Sequence, residues 1–252
     1  MQISVRYNKM LLTNHIVGCY MKIVLLPGLD GTGLLLSRFV EALSENYSTQ
    51  VIRYPSNELL QYHELADLVL KQLPHEDFIL LAESFSGPIA YLVAQTKPKN
   101  LKSLIFVATF LAPPRKNLLK FSAWLPMPVL LSLPIPNFFI RNFLLGHDID
   151  ELTIKLFKKS LKDATAKTLA YRLQQINQLN LKLTPIQYPV IYLQANQDFL
   201  VQKDSLGLFK KYCKQLKILN IDSQHFVLQT QPERCAKMLV DEINHSTQHT
   251  NI

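Results

Sequence analysis

Three side chains that lie far apart along the chain, Ser84, Asp198 and His225, are of the types that together attack a carbonyl carbon. A serine hydroxyl needs a base to take its proton as it attacks, and an imidazole with a pKa near neutrality suits that role. A carboxylate on the far ring nitrogen fixes the tautomer and stabilises the imidazolium that forms. Each residue alone has a plainer reading: a helix cap, a turn aspartate, a loop histidine. Together they carry more weight, because each follows a separate strand-like segment and the crevice beyond the carboxyl ends of strands is where open α/β sheets build their sites.

The serine is the best framed of the three. Phe78-Ile79-Leu80-Leu81-Ala82-Glu83-Ser84-Phe85-Ser86-Gly87 runs from an apolar strand into small-x-Ser-x-small, and Pro88 to Thr96 then reads as a helix. That is the grammar of a nucleophile elbow, whose tight turn lifts a hydroxyl above a buried strand. Ala82 and Ser86 stand where the usual pattern has two glycines. Both are small enough for the turn, Gly87 adds local freedom, and Pro88 suits a first helical turn. Upstream, the strand Lys22–Leu26 leads into Pro27-Gly28-Leu29-Asp30-Gly31-Thr32-Gly33. Its glycines do not fit G-x-G-x-x-G and it lacks the Lys-Ser/Thr of a phosphate-binding loop. Such a loop can instead offer backbone N–H groups to a developing oxyanion.

Further strands are expected at Gln50–Tyr54, Ser103–Ala108, Pro189–Ala195 and Leu216–Ile221. Helices are expected at Leu34–Asn46, Glu58–Leu73, Ser205–Tyr212 and Pro232–Asn244. Asp198 lies just past the strand ending at Ala195, and His225 just past the one ending at Ile221. The alternation predicts an α/β fold with a mostly parallel, doubly wound sheet. It is interrupted from 112 to 186 by helical stretches without a convincing strand, the first half cut up by the prolines from Pro113 to Pro136 and the second, about Asp150–Leu179, periodic and lysine-rich. The expected organisation is an extension over 1–20, a core of 21–111 and 187–244, a helical lid over 112–186 and a frayed polar tail over 245–252.

At 252 residues, 48% hydrophobic, the chain can fill one large core. Cys19, Cys213 and Cys235 are odd in number and lack metal-ligand spacing, so they read as reduced thiols of a cytoplasmic protein. No apolar run reaches the ~20 residues of a membrane span, and residues 1–20 lack the pattern of a signal peptide. Of the net charge of +8, nearly all sits in 112–186, which holds eleven Lys/Arg against four Asp/Glu. Such a block favours an acidic partner (a carrier protein, an anionic membrane, nucleic acid) or is a solvated face. No recognisable module or base-stacking set supports nucleic acid. No metal or cofactor is called for, and a monomer is expected.

Over nearly all of residues 21–244 the chain resembles the α/β-hydrolases. The resemblance rests on Leu26-Pro27-Gly28-Leu29-Asp30-Gly31, Ala82-Glu83-Ser84-Phe85-Ser86-Gly87, Asn196-Gln197-Asp198-Phe199-Leu200-Val201 and Gln224-His225-Phe226. It implies an α/β-hydrolase fold with an inserted helical lid, Ser84 as nucleophile, and the backbone N–H groups of Leu29 and Phe85 as the oxyanion hole. It departs in placing Pro27 where many members carry histidine. Serine at position 84 argues against dehalogenase or epoxide hydrolase work. Within the family the basic lid is similar to that of the pimeloyl–acyl-carrier-protein methyl ester esterases of biotin synthesis. That likeness implies an acidic acyl carrier protein, or another anionic acyl substrate, docked by Arg141, Lys155, Lys158, Lys159 and Lys162, with Phe143 and His147 contacting substrate. A thioesterase or general short-chain esterase stands beside it, and a non-catalytic binding protein of the same fold stands behind both.

Overall fold

Continuous apolar runs form the central strands, because a strand covered by helices on both sides is buried on both faces. The computed structural model describes residues 21–114, 135–146 and 149–250; the extension expected over 1–20 lies outside them. In chain order the elements are β1 (Lys22–Leu26), α1 (Ser37–Ser44), β2 (Thr49–Val51), α2 (Tyr62–Leu70), β3 (Phe78–Glu83), α3 (Gly87–Gln95) and β4 (Leu101–Val107). After β4 come the short helical turns Asn137–Phe139 and Ile140–Leu145, then α4 (Glu151–Asp163) and α5 (Ala166–Asn177). The chain then completes β5 (Val190–Ala195), α6 (Leu206–Tyr212), β6 (Leu216–Ile221), α7 (Val227–Thr230) and α8 (Pro232–Thr250). The strands pair only in parallel, in the order β2-β1-β3-β4-β5-β6.

Successive residues of a strand point to opposite faces, and the two faces build separate cores. Ile23, Leu25, Ile79, Leu81, Ile105, Val107, Ile191 and Leu193 pack with Phe39 and Leu43 of α1 and Leu239 and Ile243 of α8. Val24, Leu26, Leu80, Ala82, Leu104, Phe106, Val190 and Tyr192 pack with α2, α3 and Phe209 of α6. Each fully buried Leu, Ile or Phe contributes about 1.5–3 kcal/mol, so truncating Leu81 to Ala would cost about 2–5 kcal/mol with its cavity included. A third, smaller core sits over the carboxyl edge, where Ile140, Leu145, Ile149, Ile154 and Phe157 of the insert meet Leu35, with Phe226 packed against them. Arg38 of α1 pins the insert there through Asp150, 2.6 Å away.

Boundaries differ from expectation where side chains cap or release the backbone. The helix expected from Glu58 starts at Tyr62, because Gln61 and Glu64 form a capping box there. β2 stops at Val51, and Tyr54 turns its N–H to the Gly31 carbonyl instead. The long helical stretch after Asp150 is two helices: Asp150 caps α4 through the Thr153 N–H, and Thr165 caps α5 through the Thr168 N–H. α8 continues to Thr250, through most of the tail expected to fray, since neither Gly nor Pro interrupts it after Pro232. Among the described residues no helix is long and apolar enough to cross a membrane. Cys213 and Cys235 are buried free thiols whose pKa burial pushes up to about 12, which makes them unreactive.

Candidate active site

β3 delivers Ser84 into the left-handed region, at φ 49°, where a non-glycine residue is strained. The next turn, Ser84–Ser86, runs straight into α3. Close packing holds this conformation. A Cβ at Gly87 would overlap the Thr109 hydroxyl, and that hydroxyl donates to the Ser84 carbonyl. Ser86, which departs from the usual glycine, sits at φ −83° and ψ −5°, so its backbone needs no glycine. Its hydroxyl donates to the Pro27 carbonyl and accepts from Tyr54 Oη at 2.6 Å. That direction is fixed, because a carbonyl only accepts. The substitution therefore ties the elbow to the glycine-rich loop.

The sequence places Ser84, Asp198 and His225 after three strands, and the fold brings them together. The Ser84 hydroxyl lies 2.7 Å from His225 Nε2, and His225 Nδ1 lies 2.7 Å from Asp198 Oδ2. A carboxylate accepts, so Nδ1 carries the proton and Nε2 is left to accept from Ser84. Asp198 Oδ1 takes the N–H groups of Leu200 and Val201, each at 2.8 Å. Two backbone bonds, Asn196 N–H to Ile221 and Gln197 N–H to Ser223, lock the aspartate loop to the histidine loop. Burial pulls the His225 pKa down, but the Asp198 charge and hydrogen bond, with Glu83 behind them, more than offset this and leave it raised.

Glu83 went unassigned in the sequence, although a charged residue closing a continuous apolar strand is itself a signal. It is 4% exposed and lines the same cavity as Ser84 and His225. Burial raises its pKa to about 7, against the opposing pull of the Gln229 amide at 2.9 Å, the His225 ring and the Gly28 N–H.

Leu29 and Ser84 share the wall of a cavity of about 250 Å³. Among the described residues the Leu29 N–H makes no hydrogen bond, and no side chain caps the turn that presents the Phe85 N–H. The remaining walls are mostly apolar: Leu35, Phe110, Ile135, Leu144, Phe157, Leu161, Leu173, Ile176 and Phe226. Among the described residues no Lys or Arg lines the cavity, and no group of His, Cys, Asp and Glu is placed to hold a metal ion.

The basic insert divides. Lys155, Lys158, Lys159 and Lys162 lie on the exposed side of α4, with Lys159 paired to Asp163. Arg141 is engaged by Glu151 and the Ile149 carbonyl, each at 2.6 Å. Arg172, another of the insert's basic residues, points inward and is 2% exposed. The signal for this was its place between Leu169, Leu173 and Ile176, on the apolar stripe of α5. The Phe143 side chain and His147 lie outside the described residues.

A family model described as alpha/beta hydrolase fold matches residues 42–232. No curated protein matches the chain. Among solved structures, a lipase-esterase related protein from Clostridium acetobutylicum is 16% identical, over 87% of this chain and 93% of that one, with a TM-score of 0.70. An enol-lactonase from Burkholderia xenovorans is 14% identical, over 91% and 94%, also at 0.70. A bacterial membrane phospholipase A is 17% identical, over 90% and 79%, at 0.71. At these identities the likeness is one of fold.

Proposed function

Since the chain belongs to the alpha/beta hydrolase fold family, we propose that it is a serine hydrolase cleaving a carboxylic ester through an acyl-enzyme. The observation that carries this reading is the unbroken line from Ser84 through His225 to Asp198, with both links at 2.7 Å. In it, His225 Nε2 accepts the Ser84 proton as Oγ bonds to the ester carbon, and Asp198 stabilises the imidazolium. The carbonyl oxygen becomes an oxyanion that accepts from the N–H groups of Leu29 and Phe85, each such donor being worth about 10²–10³ in rate. Collapse breaks the ester bond, and the departing alkoxide takes the proton from His225. Water, deprotonated by the same imidazole, then attacks the acyl carbon and frees the acid, and the proton returns to Ser84.

The apolar walls suit an acyl chain that is uncharged where it enters the cavity. The exposed lysines of α4 support a substrate carried on an acidic acyl carrier protein, such as a pimeloyl-carrier methyl ester, handled by a cytoplasmic monomer. Phe143 and His147 belong to this reading as substrate contacts. The test is hydrolysis of p-nitrophenyl butyrate: Ser84→Ala is expected to lose at least about 10³-fold in kcat. A variant that keeps a tenth of the activity refutes the nucleophile. Comparing a carrier-bound methyl ester with the matching acyl thioester then separates esterase from thioesterase.

A further inference from the structure

Arg172 reaches from α5 of the insert to the underside of the loop that carries Leu29. Nη1 donates to the carbonyls of Leu29 at 2.9 Å and Asp30 at 2.7 Å, and Nη2 donates to that of Pro55 at 2.9 Å. The guanidinium carbon lies 5.6 Å from the centre of the Tyr54 ring and 5.9 Å from that of Phe85. Among the described residues no carboxylate forms an ion pair with it. Three hydrogen bonds from this buried cation end on backbone oxygens, and they fix the peptide planes of the carbonyls that accept them.

The two peptide planes that meet at the Leu29 Cα decide where the Leu29 N–H points, and Arg172 holds the second of them. The Gly28 carbonyl accepts from the Gly31 N–H at 3.1 Å, and in a trans peptide the following N–H is directed opposite to that carbonyl. The Leu29 carbonyl, in the next plane, is held by Arg172. Both peptides flanking the Leu29 Cα are thereby fixed, with its N–H left over. Gly31 is the residue that lets the guanidinium approach: its φ is +71°, and a Cβ there would stand 2.5 Å from Arg172 Nη1. α5 is seated alongside by Thr168 Oγ1 and the Thr165 N–H, which donate to the Ser56 carbonyl at 2.8 and 3.3 Å.

We propose that Arg172 is a positioning residue of the oxyanion loop, so that the Leu29 donor is set for reaction only while α5 of the insert is seated. The proposal rests on the hydrolase reading above. It assigns to one of the insert's cations an inward task, separate from any partner.

The experiment compares wild type, Arg172→Gln, Arg172→Lys and Ser84→Ala on p-nitrophenyl acetate, whose acyl group is too small to depend on the cavity walls. All are assayed well below their melting temperatures. Arg172→Gln is expected to lose about 100-fold in kcat, the scale of a donor displaced by about 1 Å, with KM within about threefold of wild type. Arg172→Lys is expected to recover only part, because its single nitrogen lacks the planar fork that reaches the three carbonyls from Nη1 and Nη2. Affinity for a trifluoromethyl ketone, whose hemiketal oxyanion needs the same donors, should fall in step with kcat, while binding of the carboxylate product should not. A purely structural anchor lowers the melting temperature and leaves kcat of the folded variant within about threefold; that result overturns the proposal. If Arg172→Gln does not fold, Arg172→Lys is judged by the same criterion. Wild type without turnover refutes the hydrolase reading itself, whereas wild-type turnover with undiminished Arg172 variants refutes only this inference.

Discussion

Replacing Ser86 by alanine tests how the elbow is tied to the glycine-rich loop. The Ser86 hydroxyl is buried between the Pro27 carbonyl and the Tyr54 hydroxyl, and both lose their partner in Ser86→Ala. An unsatisfied buried polar group costs about 1–3 kcal/mol, so the variant, which leaves two, should lose about 2–6 kcal/mol. Tyr54→Phe leaves Ser86 still donating to Pro27 and should cost only about 1 kcal/mol, the net worth of one neutral hydrogen bond. In the double variant only the Pro27 carbonyl is orphaned, so its loss should fall short of the sum of the singles by about 1–2 kcal/mol. Urea unfolding measures all four corners of this cycle. For a chain of this size Ser86→Ala should also lower the melting temperature by roughly 4–24 °C, at about 2–4 °C per kcal/mol. Ser86→Gly, which restores the usual elbow residue, should be no better, because the backbone there is ordinary helical space and glycine adds about 1 kcal/mol of chain entropy. A Ser86→Ala variant within about 0.5 kcal/mol of wild type, or one strictly additive with Tyr54→Phe, refutes the reasoning.

Glu83→Gln should act on pH dependence. The anion of Glu83 supports the imidazolium of His225, so removing it lowers the His225 pKa and should move the acidic limb of kcat/KM to lower pH; a limb that stays or moves up contradicts this. The same variant should change stability. With a pKa raised from 4.5 to about 7 in the fold, Glu83 favours the native state below pH 4.5 and loses that contribution as pH rises through 7, by about 3 kcal/mol. Glu83→Gln should therefore gain on wild type between pH 4.5 and 8 in urea unfolding, with Asp30, Cys235 and the Gln229 amide the other groups facing the site. Reversing Lys155, Lys158 and Lys162 to Glu should raise KM for a carrier-bound ester by about tenfold at low salt and spare a small ester. The difference should shrink towards 1 M salt, where the screening length falls to ~3 Å, and equal effects on both substrates would count against carrier docking.

The sheet and the meeting of Ser84, Asp198 and His225 were legible because each depends on a local pattern. A run such as Phe78–Ala82 is too apolar for anything but a strand covered on both faces, and the residues just past its carboxyl end must lie on the rim. Element ends were less legible, since they turn on single side-chain bonds such as Gln61 with Glu64, or Thr165 with the Thr168 N–H. Glu83 was hidden for the opposite reason. Its neighbours along the chain mark it as a charge that closes an apolar strand, but its buried setting is made by Gly28, His225 and Gln229 from two distant segments.

Charge in the insert shows how far composition reaches. A count of cations treats Lys155 and Arg172 alike, yet one faces solvent and the other fills a polar gap between α5 and the glycine-rich loop. Two successive carbonyls of that loop, those of Leu29 and Asp30, accept from Arg172, while among the described residues the Leu29 N–H makes no hydrogen bond. Carbonyls so arranged need donors, and a planar guanidinium reaches them from two fixed nitrogens where an ammonium has one. Arginine in the apolar stripe of α5 and glycine at position 31 are thus two parts of one requirement, Gly31 opening the space that Arg172 enters. The outward lysines answer to no such geometry. Among the described residues Lys155, Lys158 and Lys162 make no ion pair, so their contribution lies in the field they present to an approaching anion, and salt should weaken it. Inward and outward cations of the same insert therefore separate by experiment: ionic strength should modulate only the second, and a small ester should report only the first.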